Sequence, residues 1–212
     1  MNGGTDDLAA ARERMVDGLS ARIDRPSTDA AMRAVPRHAF VPERQRKHAY
    51  EDRPLPIGGD QTISAPHMVA MMVDRLALEP GETVLEIGTG CGYHAAVTAE
   101  VVGAENVYSV EYRANLAENA RETLADLGYG AVSVRTGDGH EGWPEHAPYD
   151  AAYLTCAADS FPDAVVEQTR SGGRILAPLG TTHQRLVYAE KTGDGLRREE
   201  GSRVRFVPMQ GG

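Results

Sequence analysis

The stretch Glu82-Thr83-Val84-Leu85-Glu86-Ile87 runs directly into Gly88-Thr89-Gly90-Cys91-Gly92 and then into the alanine-rich residues 93–102. No other feature limits the fold of this chain so tightly. A short apolar run bounded by a turn reads as a buried strand. Glycines at alternate positions let the backbone turn sharply and let a ligand approach it closely, because no side chain stands in the way. A dinucleotide fingerprint would need its third glycine where Tyr93 stands, and a phosphate loop would need a following Gly-Lys-Ser/Thr; neither pattern is met. A tight turn without a ligand is the alternative, and three glycines straight after a buried strand argue against it.

Around this unit the chain alternates. Residues 5–23 carry Leu8, Met15, Leu19 and Ile23 at helical spacing. A short helix follows, capped by Ser27 and ending at Pro36. Residues 37–57 hold three prolines and few apolar residues and read as loop. Pro66 can open a helix through Leu76. After the glycine turn come a strand over 106–110, a helix over 114–127, strands over 132–135 and 150–155, and a helix over 164–168 closed by Gly172 and Gly173. Strands over 174–178, 185–190 and 204–207 follow, the last two separated by a polar hairpin over 193–201. Such alternation predicts an α/β fold with a doubly wound, Rossmann-like sheet, mostly parallel with an antiparallel C-terminal edge, plus N-terminal helices. We read residues 1–212 as a single domain: 1–62 are N-terminal helices and a substrate-side loop, 63–180 a ligand-binding core, and 181–212 C-terminal strands.

Doubly wound sheets bind ligands at the carboxyl ends of their parallel strands. The second strand ends at Glu111, placed to accept hydrogen bonds from both hydroxyls of a ribose. The third ends at Gly137-Asp138-Gly139, where a carboxylate between glycines can accept from an adenine amino group. Three successive strand ends with ligand-compatible residues point to an adenosine-bearing cofactor.

Composition excludes several alternatives. The 212 residues are 41% hydrophobic, and no apolar run approaches the roughly 18 residues of a bilayer span. Residues 1–8 lack the basic start and apolar stretch of a signal peptide. The net charge of -9, with Lys47 and Lys191 the only lysines, disfavours a nucleic-acid partner. This balance fits a salt-adapted source or a GC-biased mesophile equally well. Cys91 and Cys156 form neither a disulfide framework nor a zinc-ligand pattern. The expectation is a cytoplasmic, metal-free monomer with no membrane and no nucleic-acid partner.

The E-x-G-x-G-x-G motif at Glu86, the later acid and the Gly-Asp pair resemble the S-adenosyl-L-methionine site of class I methyltransferases. Ala34-Val35-Pro36-Arg37, Phe40-Val41-Pro42-Glu43, Tyr50 and above all Gln61-Thr62-Ile63-Ser64-Ala65-Pro66-His67-Met68 resemble the protein-L-isoaspartate O-methyltransferase family. So do Gly137-Asp138-Gly139, Ala147-Pro148-Tyr149-Asp150, Gly172-Gly173-Arg174, Leu176-Ala177-Pro178-Leu179-Gly180 and Val204-Arg205-Phe206-Val207-Pro208. The glycine turn is common to many methyltransferases; Thr62-Ile63-Ser64 is far more discriminating.

The resemblance implies methyl transfer from S-adenosyl-L-methionine to the free α-carboxylate of isoaspartyl residues in damaged proteins or peptides, leaving S-adenosyl-L-homocysteine. It implies Ser64 as the active-site residue. Cofactor contacts are implied at Thr62, Ile63, His67, Glu86, Gly88, Thr89, Gly90, Gly92, Glu111, Tyr112, Gly137, Asp138, Gly139 and Thr155. In this reading Glu111 holds the ribose, and Asp138 with Gly139 the adenine. Asp159 stands where the family usually has proline, and Asp60 where it often has a small residue. Both departures bear on the shape of the cleft.

An α-carboxylate is already ionised at neutral pH, so the reaction needs alignment and no general base. Ser64 can orient the acceptor, cap a helix before Pro66, or do both. His67 can contact a ligand or serve only as a first-turn helix residue. Trp143 reads as a loop anchor rather than a stacking platform, and both cysteines as packing residues. Two rival functions remain: a methyltransferase of this fold acting on a small molecule, and a non-catalytic cofactor-binding relative.

Overall fold

A computed structural model describes residues 3–212. Its centre is a seven-stranded sheet. The strand β3 (Val84–Ile87) is buried along its whole length, and successive residues point to opposite faces. Leu85 and Ile87 join one apolar cluster with Val110, Tyr149, Leu154 and Ile175, while Val84 joins the other. Each face therefore needs its own cover. On the Val84 side lie α1 (Gly3–Leu19), α2 (Pro26–Ala34), α3 (Pro66–Leu76) and α4 (Tyr93–Val102). Because α4 is wedged between the sheet and those helices, nine of its ten residues are buried. That explains an alanine-rich helix with apolar residues on every side. Leu85 is fully buried, and its replacement by alanine should cost about 2–5 kcal/mol.

From β3 the chain passes through α4 to β4 (Val107–Glu111), then through α5 (Ala114–Asp126) to β5 (Ser133–Thr136). All three strands are parallel. It then returns to the other side of β3 as β6 (Tyr149–Leu154), followed by α6 (Asp163–Gln168) and β7 (Thr169–Leu179). The final strands β8 (Gln184–Thr192) and β9 (Gly195–Val204) run antiparallel. The spatial order β5-β4-β3-β6-β7-β8-β9 reverses direction at β3. A crevice opens there, between the carboxyl ends of β3 and β6. The expected sheet, its antiparallel edge and the N-terminal helices are all present.

Several local expectations are corrected. Ser27 does not cap α2: the helix starts at Pro26, and its cap position is Arg25, without a side-chain bond. Proline's fixed φ suits the first helical position and moves the start by two residues. Residues 37–57 are not plain loop. They form two short 3-10 segments, Arg37–Phe40 and Glu43–His48, and then β1 (Leu55–Gly58), which pairs with β2 (Gln61–Ile63) in a separate hairpin. Ser64 does not cap α3, whose cap position is Ala65 with no side-chain bond. Gly172 and Gly173 lie inside β7 rather than ending α6. A Cβ on Gly173 would fall against the Arg170 and Asp150 carbonyls, so its glycine serves a close strand contact. The last strand is 195–204, not 204–207, because the turn of the β8–β9 hairpin is only a few residues long. Val207 leaves the sheet, its carbonyl accepting from the Ala157 N–H at 2.8 Å, and Met209 N–H donates to the Ala157 carbonyl at 2.8 Å.

Candidate active site

The crevice at the β3–β6 reversal holds a cavity, at the place where doubly wound sheets bind their ligands. Its floor is the glycine turn. Gly88, Gly90 and Gly92 have φ of 98°, 57° and 88°, all in the left-handed region that a side chain disfavours. A Cβ on Gly88 would also collide with the Thr155 hydroxyl. That hydroxyl donates to the Gly88 carbonyl and clamps the ends of β3 and β6 together. Thr62, Ile63, Ser64, Gly88, Thr89, Gly90, Glu111, Tyr112, Gly139 and Thr155 all stand on the cavity wall.

Glu111, 6% exposed, ends β4. One oxygen accepts from the Gly90 N–H at 2.8 Å and the other from the Arg113 N–H at 3.0 Å. A carboxylate offers about four lone-pair sites, so half remain for a ligand's hydroxyls. The wall therefore combines bare backbone at Gly88, Gly90 and Gly139 with an acid that has acceptor capacity left. These features fit an adenosine-bearing group.

Five expected contacts stand off this wall. Gly92 is the N-cap of α4 and packs against Leu124. Glu86 is fully buried behind the turn. It accepts from Ser109 Oγ at 2.5 Å and Tyr153 OH at 2.9 Å, and the Ser109 hydroxyl pairs with Thr89 Oγ1 at 2.5 Å. Burial pushes the Glu86 carboxyl up to about 8, so at neutral pH it is largely protonated and supports the turn from beneath. Gly137 packs near Arg135 and Val110. Asp138 lies beside the cavity, with its oxygens accepting from His140 N–H, from His140 Nδ1 and from Gly212 N–H at 2.8–2.9 Å. Gly139 reaches the wall instead. There a Cβ would strike Ile87 and Met209, because residues 207–210 cross over the site. His67 faces a second cavity, and its Nδ1 and backbone N–H both engage Asp52, at 2.7 and 2.9 Å.

The second cavity runs along Pro54, Ser64, His67, Met68, Arg205 and Phe206. It shares Thr62, Ser64, Thr155 and Val207 with the first. Ser64 is held there from behind. Arg37 is fully buried, and its guanidinium donates to the carbonyls of Ala49, of Arg53 at 3.2 Å and of Ser64 at 2.9 Å. One buried cation thus ties together three segments of the cover over the site. Its role escaped sequence reading, although Arg37 lies within the Val35-Pro36-Arg37 stretch that carried the resemblance.

Tyr93, His94, Arg113 and residues 207–210 on the wall were also missed. Tyr93 and His94 follow the glycine turn directly, a signal that was available. Cys91 and Cys156 line the wall as well, and burial raises both thiols, keeping them protonated. Trp143 is a loop anchor as expected, its carbonyl accepting from Tyr149 OH at 2.6 Å and its ring edge-on to Tyr108.

The chain was compared with known proteins. Residues 11–212 match the family model described as protein-L-isoaspartate(D-aspartate) O-methyltransferase. Protein-L-isoaspartate O-methyltransferase 2 of Archaeoglobus fulgidus is 49% identical over 208 residues, covering 97% of this chain and 95% of that one. The protein-L-isoaspartate O-methyltransferase of Picosynechococcus sp. is 45% identical, covering 97% of this chain and 93% of that one. A solved protein-L-isoaspartate O-methyltransferase superposes with a TM-score of 0.88 at 31% identity, over 94% of this chain and 66% of that one. A Plasmodium falciparum structure in complex with S-adenosyl-L-homocysteine shares the fold, with a TM-score of 0.84 at 22% identity over 94% and 98% of the two chains. With the family model covering nearly its whole length and relatives near half identity, the chain belongs to the protein-L-isoaspartate(D-aspartate) O-methyltransferase family.

Proposed function

We propose that this chain transfers a methyl group from S-adenosyl-L-methionine to the free α-carboxylate of L-isoaspartyl residues in damaged proteins or peptides, a repair reaction. One observation carries the reading. Two cavities, one floored by a glycine turn with an acid at its rim, the other following the cover, share a wall at Thr62, Ser64 and Thr155. Relatives at 45–49% identity bear the name of that activity.

When bound, S-adenosyl-L-methionine supplies a sulfonium-activated methyl group. The chain's own residues then have a positioning task. An α-carboxylate titrates near about 3.5 and is already a nucleophile at neutral pH, so no side chain needs to remove a proton. The Ser64 hydroxyl orients one acceptor oxygen, and Arg37 fixes the backbone that carries it. Thr155 holds the first glycine so that the floor keeps its shape. Alignment of this kind supplies on the order of 7–11 kcal/mol of the barrier. On the cofactor side, Thr62, Ile63, Gly88, Thr89, Gly90, Tyr112 and Gly139 contribute surface and Glu111 accepts from the ribose. Glu86 and Gly92 act through the turn, Gly137 and Asp138 through the backbone of Gly139, and His67 through the peptide cleft.

We read the three stretches of residues 1–212 as one working unit. Among the described residues no helix is long and apolar enough to cross a membrane. Net acidity favours protein substrates over nucleic acid. Tyr112 is the only exposed large hydrophobic residue among those described, which supports a monomer, and two free cysteines suit the cytoplasm.

The test is transfer of labelled methyl to an isoaspartyl peptide beside its aspartyl isomer. The two carry the same atoms, and only the isoaspartyl chain detours through an extra methylene to leave its α-carboxylate free. We expect a base-labile methyl ester on the isoaspartyl peptide alone. Equal labelling of both isomers, or of neither, would refute the proposal.

A further inference from the structure

Two side chains on the wall of the first cavity leave buried nitrogens without a partner among the described residues: Arg113 leaves its Nε, and His94 leaves both ring nitrogens. His94 is 6% exposed and lies in the first turn of α4, its ring stacked on Tyr153 at 4.4 Å between centroids. A polar ring buried without a hydrogen bond is costly, and packing alone would be served by an apolar ring. The imbalance calls for a ligand.

The surroundings say which kind. The N-terminus of a helix favours negative charge, and α4 spans ten residues. Glu111 ends β4, on the other side of β3 from the β6 strand that carries Tyr153, and its charge suits hydroxyl donors. The cofactor has the matching asymmetry: a ribose at one end and an amino acid with a free carboxylate at the other.

We propose that His94 holds the amino-acid end of S-adenosyl-L-methionine, donating from one ring nitrogen to its carboxylate. The two nitrogens point apart, so a single ligand group engages only one of them, and the ring carries its proton there. Burial lowers the ring's pKa to about 3, so in the free protein it stands neutral with one N–H to give. This inference rests on the reading of the first cavity as the cofactor site.

The test uses calorimetry on the full chain with S-adenosyl-L-homocysteine and with 5′-deoxy-5′-methylthioadenosine, which keeps the adenosine and thioether but lacks the amino acid. His94→Phe preserves a ring against Tyr153 and removes the nitrogens. It should weaken S-adenosyl-L-homocysteine about 10- to 100-fold, as for a lost hydrogen bond to a charged group. Methylthioadenosine should bind as in the wild type. His94→Gln, which restores an N–H, should recover most of the loss. Unchanged S-adenosyl-L-homocysteine affinity in His94→Phe, or an equal loss for both ligands, would overturn the assignment while leaving the cofactor site in place. Failure of the wild type to bind either ligand would overturn both. Should His94→Phe not fold, histidine-labelled wild type decides by NMR: the ring nitrogens of His94 shift with S-adenosyl-L-homocysteine and not with methylthioadenosine, and identical spectra with the two ligands count against the proposal.

Discussion

The floor of the site and its cover are built on opposite principles. The floor is a run of local decisions: a buried strand, three left-handed glycines, a helix, and the ends of the neighbouring strands. Parallel ladders on both sides of β3 hold it. The cover, residues 37–68, has only a short two-stranded hairpin of its own, and Arg37 binds it across 12, 16 and 27 residues of sequence. A floor made of ladder and glycine tolerates little change at any position. The cover depends heavily on one side chain, so it can be loosened without disturbing the floor.

The largest expected effect follows from that dependence. Arg37→Met would strip the donors from three carbonyls and should cost about 3–5 kcal/mol of stability, by analogy with breaking a buried charge contact. Urea unfolding measures this. Affinity for S-adenosyl-L-homocysteine should stay within about threefold, below 1 kcal/mol, while kcat/KM for an isoaspartyl peptide falls. Equal losses of binding and turnover would erase the distinction between floor and cover.

Gly90→Val attacks the other side. At φ 57° a β-branched residue is strained, and its methyl groups would fill the space between the turn and Ile57. Affinity for S-adenosyl-L-homocysteine should drop on the order of 100-fold, about 2.7 kcal/mol, with the circular dichroism spectrum retained. Normal binding by the folded variant would mean that the turn does not face the cofactor.

A subtler comparison lies within the floor. Glu86 has its pKa raised to about 8 and His94 has its lowered to about 3, both by burial. For Glu86 the folded state holds a proton that the unfolded chain has released. Its contribution is therefore full below the unfolded value of 4.5 and is lost as pH rises to about 8. For His94 the unfolded chain holds the proton, so stability is lost as pH falls from 6.5 towards about 3. Each arm has a limiting slope of about 1.4 kcal/mol per pH unit. Across the overlap between 4.5 and 6.5 the two oppose each other. Denaturant titrations should show a flat middle, with Glu86→Gln removing the decline above pH 6.5 and His94→Phe reducing the decline below 4.5. Unaltered slopes in both variants would mean that neither group is buried as described.

The same contrast explains what could be read from the amino-acid sequence. β3, the glycine turn, α4 and the acid at Glu111 are each encoded within a few neighbouring residues, and their places were legible. The tie from Arg37 was not, because its acceptors are main-chain carbonyls that carry no side-chain signature. The helix cap, the alternative reading of Ser64, is not made, because α3 starts at Pro66 with Ala65 in the cap position. The bond from the Gly212 N–H to Asp138 was not legible, because nothing in Gly137-Asp138-Gly139 signals so distant a partner. The short β1–β2 hairpin was hidden by prolines, which are tolerated at such an edge.

The proposed division of labour gives Ser64 to the cover, where it acts on the acceptor, and the cofactor to the floor. The direct test is Ser64→Ala, measured twice on one preparation: kcat/KM for an isoaspartyl peptide, and affinity for S-adenosyl-L-homocysteine. With that division kcat/KM falls about 10- to 1000-fold, as for a hydrogen bond that matters mainly in the transition state, and cofactor affinity is unchanged. Weakened cofactor binding with turnover preserved at saturating cofactor would contradict it.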